Sequence, residues 1–518
     1  MSIAEVERAA GAQVTELSTA DLHPSLTDPA LNSMNFLNEI AGHYPAAISL
    51  AAGRPYEDFY EVEALPRYLD RFHRHLLEDL GYDEAAARRT LFQYGRTKGI
   101  IHDLVATNLE LDEAIRVDPE SIVVTVGCQE AMVLTLRALR AGPNDVLLAV
   151  SPTYVGLTGA ARLVDMPVLP VSGGEAGIDL DDLLSAIRRA RAAGLRPRAC
   201  YVMPDFANPS GLSMDLATRR RLLALAEEED ILLLEDNPYG LFYDVLSPGE
   251  HRVPTLKAID ERRRVVYLGS FAKTVLPGAR VGYVVADQRV RGADGTVGLL
   301  ADELSKIKSM LTVNTPALAQ AIVGGKLLEH GCSLVAATVP ERDVYAQNRS
   351  RVIDGLAARF AGLPVSWNVP AGGFFVVVNV PFPVDDALLE RSARDYGVLW
   401  TPMHHFYAAA GDVRSLRLSC STVTAADIDL GLDRLAALVT DELAKIAAPA
   451  PAASVEVPSA EAVPMAAAPV EVVPVNVAPA EVPVEVVPVD VAPVELPAVE
   501  LPADLTPPEA TPPELAAG

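Results

Sequence analysis

Cysteine, aromatic residues and positive charge are scarce in this chain of 518 residues. It has 4 Cys, 6% aromatic residues, and 43 Lys and Arg against 69 Asp and Glu, so its formal net charge is −26. This acidic excess argues against a nucleic-acid-binding protein, because phosphate contacts need clustered Lys and Arg. Cys128, Cys200, Cys332 and Cys420 form no CxxC pair, so we expect reduced thiols rather than a disulfide framework or a structural zinc site.

Long apolar runs are also absent. No stretch of 18 apolar residues occurs, so the sequence predicts no membrane span. The first residues, Met1 to Glu7, lack the basic and apolar regions of a secretory signal. Together with the reduced thiols, these features predict a cytoplasmic protein.

The end of the chain differs from the rest in composition. Residues 447–518 contain 16 Pro and 11 Asp or Glu, with no Lys or Arg. Frequent Pro removes the N–H donors that a sheet needs, so we predict an extended, disordered tail. The simplest interpretation is a spacer, and a docking segment for an unknown partner is the alternative.

The remaining residues predict an α/β protein. Short apolar runs alternate with helical stretches such as 215–229, which is typical of a largely parallel sheet covered on both faces. After about Leu300 the pattern changes, and strands at 373–378 and 416–419 predict a smaller α+β domain. The apolar runs that predict strands of the first sheet are 122–126, 146–150, 199–203, 231–234, 265–268 and 281–285. The predicted division is an N-terminal arm (1–60), a large domain (61–310), a small domain (311–446) and the tail (447–518).

Polar turns follow three of the predicted strands. They carry Asn208, then Asp236 and Tyr239, then Lys273 with Arg280 shortly after it. A lysine at the carboxyl end of a strand can project into a cleft, where burial and a nearby cation lower its pKa and make it a nucleophile. A buried carboxylate needs a cationic partner, and a protonated pyridine nitrogen meets that need.

These turns and four further motifs resemble the fold-type-I pyridoxal-phosphate enzymes, specifically the class I/II aminotransferases and their 2-aminoadipate and kynurenine branch. The further motifs are Gln93-Tyr94-Gly95, Gly127-Cys128-Gln129, Pro152-Thr153-Tyr154 and Leu416-Arg417-Leu418-Ser419. The resemblance implies a large domain with a mostly parallel, seven-stranded sheet and a smaller α+β C-terminal domain. It also implies pyridoxal 5'-phosphate as cofactor, transamination between an L-amino acid and a 2-oxo acid, and a homodimer with shared active sites.

The resemblance also assigns catalytic roles. Lys273 resembles the lysine that bonds covalently to the cofactor and then moves a proton. Asp236 resembles the partner of the pyridine nitrogen. Asn208 and Tyr239 resemble the hydrogen-bond partners of the ring's 3′ oxygen, and Tyr154 resembles the aromatic residue that stacks on the ring.

The phosphate of the cofactor needs N–H donors and positive charge. The backbone amides of Gly127, Cys128 and Gln129 open a predicted helix and are expected to supply donors. Ser270 and Arg280 resemble the side chains that complete this site. Cys128 stands where a small residue such as Ser is common, and a thiol beside a phosphate site is a candidate for oxidation.

Three further residues have roles implied by the resemblance. Tyr94 resembles the tyrosine that reaches the phosphate from the neighbouring subunit. Arg417 resembles the arginine that binds the substrate α-carboxylate with two parallel hydrogen bonds. Arg54, in the segment Gly53-Arg54-Pro55-Tyr56, is a candidate for binding a second anionic group of the substrate.

The segment 401–407 contains two adjacent histidines, His404 and His405, which are unusual for the family. They are candidates to bind a polar or phenolic group of the substrate, and solvent-facing loop residues are the equal alternative. No metal site is predicted there, because no further ligands with suitable spacing are evident. With Phe406 and Tyr407, the pair favours an aromatic or aryl-glycine amino acid as substrate.

Two alternatives to transamination stay open at this point. The same residues support decarboxylation, elimination or oxidation, because the motifs bind the cofactor and do not choose the reaction. A non-enzymatic, cofactor-sensing transcription regulator is less favoured, because the segment before residue 30 is short and not basic.

Overall fold

The computed structural model describes residues 15–244, 252–408 and 411–447. The chain separates into two compact units, Met1–Pro451 and Ala452–Gly518, and every described residue belongs to the first. The predicted tail lies outside the described residues except for Ala447. The predicted division at residues 60 and 310 stays a prediction.

The strands, numbered in chain order, are β1 (Ile48–Ser49), β2 (Ile122–Thr125), β3 (Asp145–Ser151), β4 (Val168–Ser172), β5 (Arg196–Val202), β6 (Leu232–Asp236), β7 (Val265–Ser270), β8 (Gly282–Val285), β9 (Arg289–Arg291), β10 (Val297–Leu299), β11 (Ser366–Trp367), β12 (Phe375–Asn379), β13 (Val398–Leu399), β14 (Thr401–Pro402) and β15 (Ser415–Ser419).

The α-helices of the same residues are α1 (Pro29–His43), α2 (Ala64–Arg74), α3 (Glu84–Phe92), α4 (His102–Glu113), α5 (Gly127–Leu139), α6 (Val155–Leu163), α7 (Leu180–Ala192), α8 (Leu216–Glu228), α9 (Leu300–Leu311), α10 (Ala317–Glu329), α11 (Leu334–Ala337), α12 (Val339–Phe360), α13 (Asp386–Arg391) and α14 (Ala425–Ala447). Among the described residues, no helix combines the length and the apolar character that crossing a membrane requires.

The main sheet has seven strands in the order β2-β8-β7-β6-β5-β3-β4. Strand β8 is antiparallel to both of its neighbours, and the other neighbouring pairs are parallel. This confirms the mostly parallel, seven-stranded sheet and the six strands predicted for it. Strand β4 was not predicted, because it is a partly exposed edge strand that contains Pro170 and ends at a serine.

Helices cover both faces of this sheet, and alternate strand residues pack on opposite sides. Leu147 of β3 lies in an apolar cluster with Leu134 of α5. The next residue, Leu148, lies in a second cluster with Leu183 of α7 and Leu222 of α8. A strand buried on both faces needs a continuous apolar run, and such runs are the pattern that predicted these strands.

A second, antiparallel sheet has the order β11-β12-β15-β14. It shares an apolar cluster with α12 and α14, which contribute Val352 and Leu432. This confirms the α+β character predicted after Leu300. The short strand β1 pairs in parallel with β13, with Ile48 opposite Val398.

A buried arginine fixes the turn that follows β5. Arg219 of α8 is fully buried, and its Nη2 donates to Asp205 Oδ1 at 2.6 Å. Its guanidinium also donates to the carbonyl oxygens of Pro204, Met214 and Pro254. This network holds the segment that carries the Asn-Pro turn.

We predict that R219M lowers the free energy of unfolding by about 3–5 kcal/mol, because Asp205 is then buried without a cationic partner. R220M is the matched control on the same helix. Arg220 is exposed, so its replacement should change the free energy by no more than about 0.5 kcal/mol. Urea denaturation followed by circular dichroism measures both, and equal effects would contradict the role given to Arg219.

Candidate active site

A cavity of about 830 Å³ opens beside the carboxyl ends of the parallel strands. In open α/β sheets this edge is where ligands bind. Several residues predicted from the sequence line the cavity: Arg54, Tyr154, Asn208, Tyr239, Lys273 and Arg417. The fold therefore brings these six together, although they lie far apart in the chain.

Lys273 follows β7, and its Nζ donates a hydrogen bond of 2.7 Å to the carbonyl oxygen of Gly53. Burial and the positive charges of Arg280 and Arg417 lower the pKa of Lys273 to about 8, although Asp236 acts in the opposite direction. An amine with this pKa is partly neutral near physiological pH. It is therefore suited to nucleophilic attack and to proton transfer.

Asp236 is the last residue of β6 and is almost completely buried. The hydroxyl of Tyr201 donates to its Oδ2 at 2.6 Å, and the thiol of Cys128 donates to its Oδ1 at 3.4 Å. Burial raises the pKa of Asp236 to about 6, and these hydrogen bonds and Lys273 oppose the rise. The carboxylate is thus held in place by neutral donors.

The sequence interpretation missed Tyr201. One feature of the sequence could have identified it, since Tyr201 is a single tyrosine in an otherwise apolar strand. A buried phenol hydroxyl usually finds a hydrogen-bond partner, so such a tyrosine is expected to contact a polar group. The register of the sheet places Tyr201 of β5 next to Leu234 of β6, beside the end of the strand that carries Asp236. Nothing in the linear sequence gives this register.

The environment of Cys128 contradicts the expected sensitivity to oxidation. Burial and the negative charge of Asp236 raise the pKa of the thiol well above its ordinary value. The thiolate is the form that oxidants attack, so a protonated thiol is protected. Cys128 therefore acts here as a hydrogen-bond donor to Asp236.

The start of α5 forms a cradle with donors and positive charge. Gly127 has a φ of +71°, and a Cβ at this position would lie 2.5 Å from Nη2 of Arg280. Only glycine permits both this conformation and this approach. The free amides of the first helical turn and the guanidinium thus face the same space, an arrangement that suits a phosphate.

Two other predicted phosphate-site residues have polar contacts of their own. Ser270 Oγ, at the end of β7, accepts a hydrogen bond of 3.2 Å from the amide of Ala272. The side chain of Gln129 donates to the carbonyl oxygen of Gly156. Because the side chain of Gln129 is engaged in this way, its backbone amide is the group that can bind an anion.

Arg417 of β15 is buried and reaches across the cavity. Its Nη1 donates to Asn208 Oδ1, and its Nη2 donates to the carbonyl oxygen of Ala51 at 3.1 Å and to Thr401 Oγ1 at 3.2 Å. Its Nε is buried without a hydrogen-bond partner among the described residues. Burial lowers the pKa of Arg417 to about 10, so the guanidinium is charged at neutral pH and suited to a carboxylate.

Aromatic rings fix the position of this guanidinium. The Cζ atom of Arg417 lies 4.2 Å from the ring centre of Phe375 and 5.0 Å from that of Phe406. Cation–π contacts of this kind hold the guanidinium plane without neutralising its charge. The N–H donors are therefore left for hydrogen bonds.

Two phenols complete the wall of the cavity. Tyr239 is buried, and burial raises its pKa, although a hydrogen bond with the side chain of Asn208 opposes the rise. Burial and the charge of Asp236 raise the pKa of Tyr154 as well. Both phenols are thus neutral at physiological pH and able to donate hydrogen bonds.

Three of the predicted residues are exposed: Tyr94, Arg54 and Arg280. Tyr94 is 85% exposed, in the segment after α3, and does not line the cavity in this chain. The side chain of Arg54 is exposed at the cavity wall, and its carbonyl oxygen accepts a hydrogen bond from Ser421 Oγ at 2.6 Å. Arg54 thus lines the cavity, and its role in binding a second anionic group stays a prediction.

The structure corrects the position of His404 and His405. Both rings turn toward Asp386, and they line a separate cavity that excludes Lys273 and Arg417. The physical reason is the carboxylate at the start of α13, which attracts both imidazoles away from the Lys273 cavity. Neither histidine is therefore placed to contact a substrate beside Lys273.

Comparison with known proteins identifies the family of this chain. The model of the family "Aminotransferase class I and II" matches residues 48–435. An (S)-3,5-dihydroxyphenylglycine transaminase of Amycolatopsis orientalis is 57% identical over 430 residues, 83% of this chain and 96% of that protein. A 2-aminoadipate transaminase of Thermus thermophilus is 31% identical over 396 residues, 76% of this chain and 89% of that protein.

A solved structure gives the same result. The kynurenine aminotransferase of Pyrococcus horikoshii, crystallised with PMP, has a TM-score of 0.68 and 25% identity, covering 85% of this chain and 98% of that chain. The chain belongs to the class I and II aminotransferases. It is a pyridoxal-phosphate-dependent aminotransferase of fold type I, and this family membership favours transamination over the other reactions that the sequence left open.

The residues present fit this cofactor. Lys273 supplies the amine, Asp236 supplies a buried carboxylate without a cationic hydrogen-bond partner, and the cradle at Gly127 supplies anion donors. The amine matches the aldehyde of the cofactor, the carboxylate matches its protonated ring nitrogen, and the anion donors match its phosphate.

The lowered pKa of Lys273 predicts a specific pH dependence. The rate at which the apoenzyme bonds pyridoxal phosphate should rise with pH around a midpoint near 8, because only the neutral amine is nucleophilic. An ordinary lysine would give a midpoint of about 10.4. Stopped-flow absorbance measures the rate, with K273A as the control that lacks the covalent phase. A midpoint at the ordinary value would show that the cavity does not perturb this lysine.

Proposed function

We propose that this enzyme transaminates an L-amino acid of the aryl-glycine class with a 2-oxo acid. The observation that carries the proposal is the placement of Lys273 and Arg417 in one cavity, with Asp236 close enough to perturb the pKa of Lys273. The dihydroxyphenylglycine transaminase supports the substrate class through its 57% identity.

Bound pyridoxal phosphate supplies an electron-accepting ring that takes up the electron pair released at the substrate Cα. Asp236 would hold the ring nitrogen in its protonated form. A cation at this position would offset the burial that raises the pKa of Asp236. Lys273 would anchor the cofactor and, as a free amine, would remove the proton from the substrate Cα and deliver it to the cofactor's C4′ carbon.

The other residues position these reacting groups. The amides of Gly127, Cys128 and Gln129 would bind the phosphate at the start of α5, with Ser270 and Arg280. Tyr154 would lie against the ring. Asn208 and Tyr239, which share a hydrogen bond, would bind the ring's 3′ oxygen.

Arg417 would bind the α-carboxylate of the substrate. Because its Nη1 also contacts Asn208, the carboxylate site and the cofactor site are joined by one side chain. A carboxylate fixed by two parallel N–H donors has one orientation, and this orientation decides which bond at Cα is broken.

We predict that R417K lowers kcat/KM for the amino acid roughly 10- to 100-fold, because one charge-assisted hydrogen bond and the planar fork are lost. The visible absorbance of the bound cofactor should be unchanged. R414K is the matched control, since Arg414 is exposed and pairs with Asp412 outside the cavity. Equal losses in the two variants would exclude Arg417 as the carboxylate site.

The aryl group would lie toward Tyr56 and Phe406, which line the same cavity. Asp427 of α14 and Arg54 supply charged groups at this wall. Asp427 accepts a hydrogen bond of 2.7 Å from Thr424 Oγ1, so its carboxylate is held in place and can accept another from a ring hydroxyl. An aryl ring with hydroxyl groups thus finds both apolar and polar partners.

The substrate class is tested by measuring release of the 2-oxo acid from three amino acids. We expect kcat/KM for (S)-3,5-dihydroxyphenylglycine to exceed that for phenylglycine by at least about 10-fold, because a site built for hydroxyls leaves polar groups unpaired with the analogue. L-2-Aminoadipate should react more slowly than either.

D427N should reduce the preference for the dihydroxy compound and leave phenylglycine unaffected. D429N is the control, because Asp429 lies on the same helix and pairs with Arg351 away from the cavity. Failure to convert any aryl glycine, with rapid conversion of 2-aminoadipate, would refute the proposed substrate class.

We also propose a cytoplasmic homodimer. The high exposure of the Tyr94 phenol supports a role in the partner's phosphate site. The free state of the four cysteines supports a reducing compartment. Sedimentation of the holoenzyme as a monomer at micromolar concentration would contradict the dimer.

A further inference from the structure

Three potential metal ligands converge in the second cavity. Nε2 of His405 lies 2.8 Å from Oδ1 of Asp386, and Nε2 of His404 lies 3.5 Å from the same oxygen. The three ligand atoms lie within 4.8 Å of one another. In the part of the chain that the structure describes, this is the only such group of three His, Cys, Asp or Glu residues.

The local fold explains why these groups meet. Asp385 caps α13 by accepting a hydrogen bond of 2.8 Å from the amide of Leu388. Asp386, the first residue of the helix, is left with its carboxylate directed at the histidines. His404 and His405 lie in the short 3-10 turn Met403–Phe406, and their ring centres are 4.1 Å apart.

The spacing of the ligand atoms suits a small divalent cation. Ligand atoms in a tetrahedral zinc site lie about 3.3 Å apart, given metal–nitrogen distances of about 2.0–2.1 Å. The two nitrogen–oxygen distances here, 2.8 and 3.5 Å, lie on either side of that value. All three ligand atoms lie within 4.8 Å of one another, so an ion between them would draw each pair together by at most about 1.5 Å.

A second layer of contacts orients one ligand. Nδ1 of His405 lies 2.9 Å from Oγ of Ser33, and the ring of Phe36 lies 5.3 Å from the imidazole. A metal-bound Nε2 requires the proton on Nδ1, and the Ser33 hydroxyl is placed to accept it. Metal-binding histidines commonly donate their other N–H in this way.

The cavity leaves room for the remaining coordination positions. Its volume is about 730 Å³, and among the described residues Phe406 alone lines both this cavity and the Lys273 cavity. Water or a small ligand can thus complete the coordination. The site is separate from the catalytic groups and joined to them through Phe406, which contacts Arg417.

We propose that Asp386, His404 and His405 bind a divalent transition-metal ion, with Zn²⁺ as the representative. Two imidazoles and one carboxylate form a ligand set of borderline softness, which favours Zn²⁺ and its first-row neighbours over Mg²⁺ or Ca²⁺. The sequence predicted no metal site here, because no further ligand with suitable spacing was evident. The third ligand, Asp386, lies on α13, and its distance along the chain from the histidines follows no metal-binding pattern.

The test uses the full-length holoenzyme after dialysis against a chelator. Titration with Zn²⁺ in a calorimeter should give one site per chain that H404Q and D386N weaken by at least about 100-fold. H73Q is the matched control, because His73 and Glu84 form a pair at 3.6 Å without a third ligand. It should bind as the wild type does.

Anomalous scattering from a Zn²⁺-soaked crystal should place the ion between the three side chains. Cofactor absorbance and circular dichroism establish that each variant is folded. The absence of a micromolar site in the wild type would overturn the proposal. So would equal Zn²⁺ affinity in the wild type, H404Q and D386N, since binding would then reside elsewhere in this acidic chain.

Discussion

The carboxylate of Asp236, buried at the end of a central strand, is the constraint on which the site depends. Removing a carboxylate from water costs several kcal/mol unless other groups compensate. Tyr201 and Cys128 provide two neutral donors, and they hold the carboxylate without neutralising it. Under the proposed function, a protonated pyridine ring would supply the cation that this arrangement lacks, which would explain why Asp236 is buried.

The two sheets deliver the other groups to this carboxylate. The parallel strands of the main sheet end at one edge, which places Asp236, Ser270 and Gly127 around the cofactor site. The second sheet brings Arg417 from the opposite side. The segment after β1 crosses between them, and its carbonyl oxygens bind both Lys273 and Arg417. Under the proposed function, the phosphate, the ring and the substrate carboxylate would be bound by different parts of the fold.

The sequence predicted what depends on local pattern. Asp236 and Lys273 follow apolar strands that are buried on both faces, so their positions at the edge of the sheet could be inferred from the chain alone. The edge strand β4 could not, because it is partly exposed and interrupted by Pro170. Contacts between residues far apart in the chain could not be predicted from the sequence either. Tyr201 reaches Asp236 through sheet register, and the carbonyl of Gly53 reaches Lys273 across 220 positions.

The orientation of the histidine pair, His404 and His405, is another feature that the sequence could not predict. The family resemblance places this loop near the substrate, so a substrate contact and a solvent-facing position were equal alternatives for the pair. The structure turns both rings to Asp386 instead. A carboxylate on another helix decided the orientation, and this competition between partners is visible only in three dimensions.

The protonation state of the cofactor ring nitrogen tests this account most directly. It can be read from the ¹⁵N chemical shift of labelled pyridoxal phosphate in the holoenzyme, compared with D236N. We expect a protonated ring nitrogen at pH 8 in the wild type and a neutral one in D236N. A neutral nitrogen in the wild type would mean that Asp236 does not pair with the ring, and the central claim would be wrong.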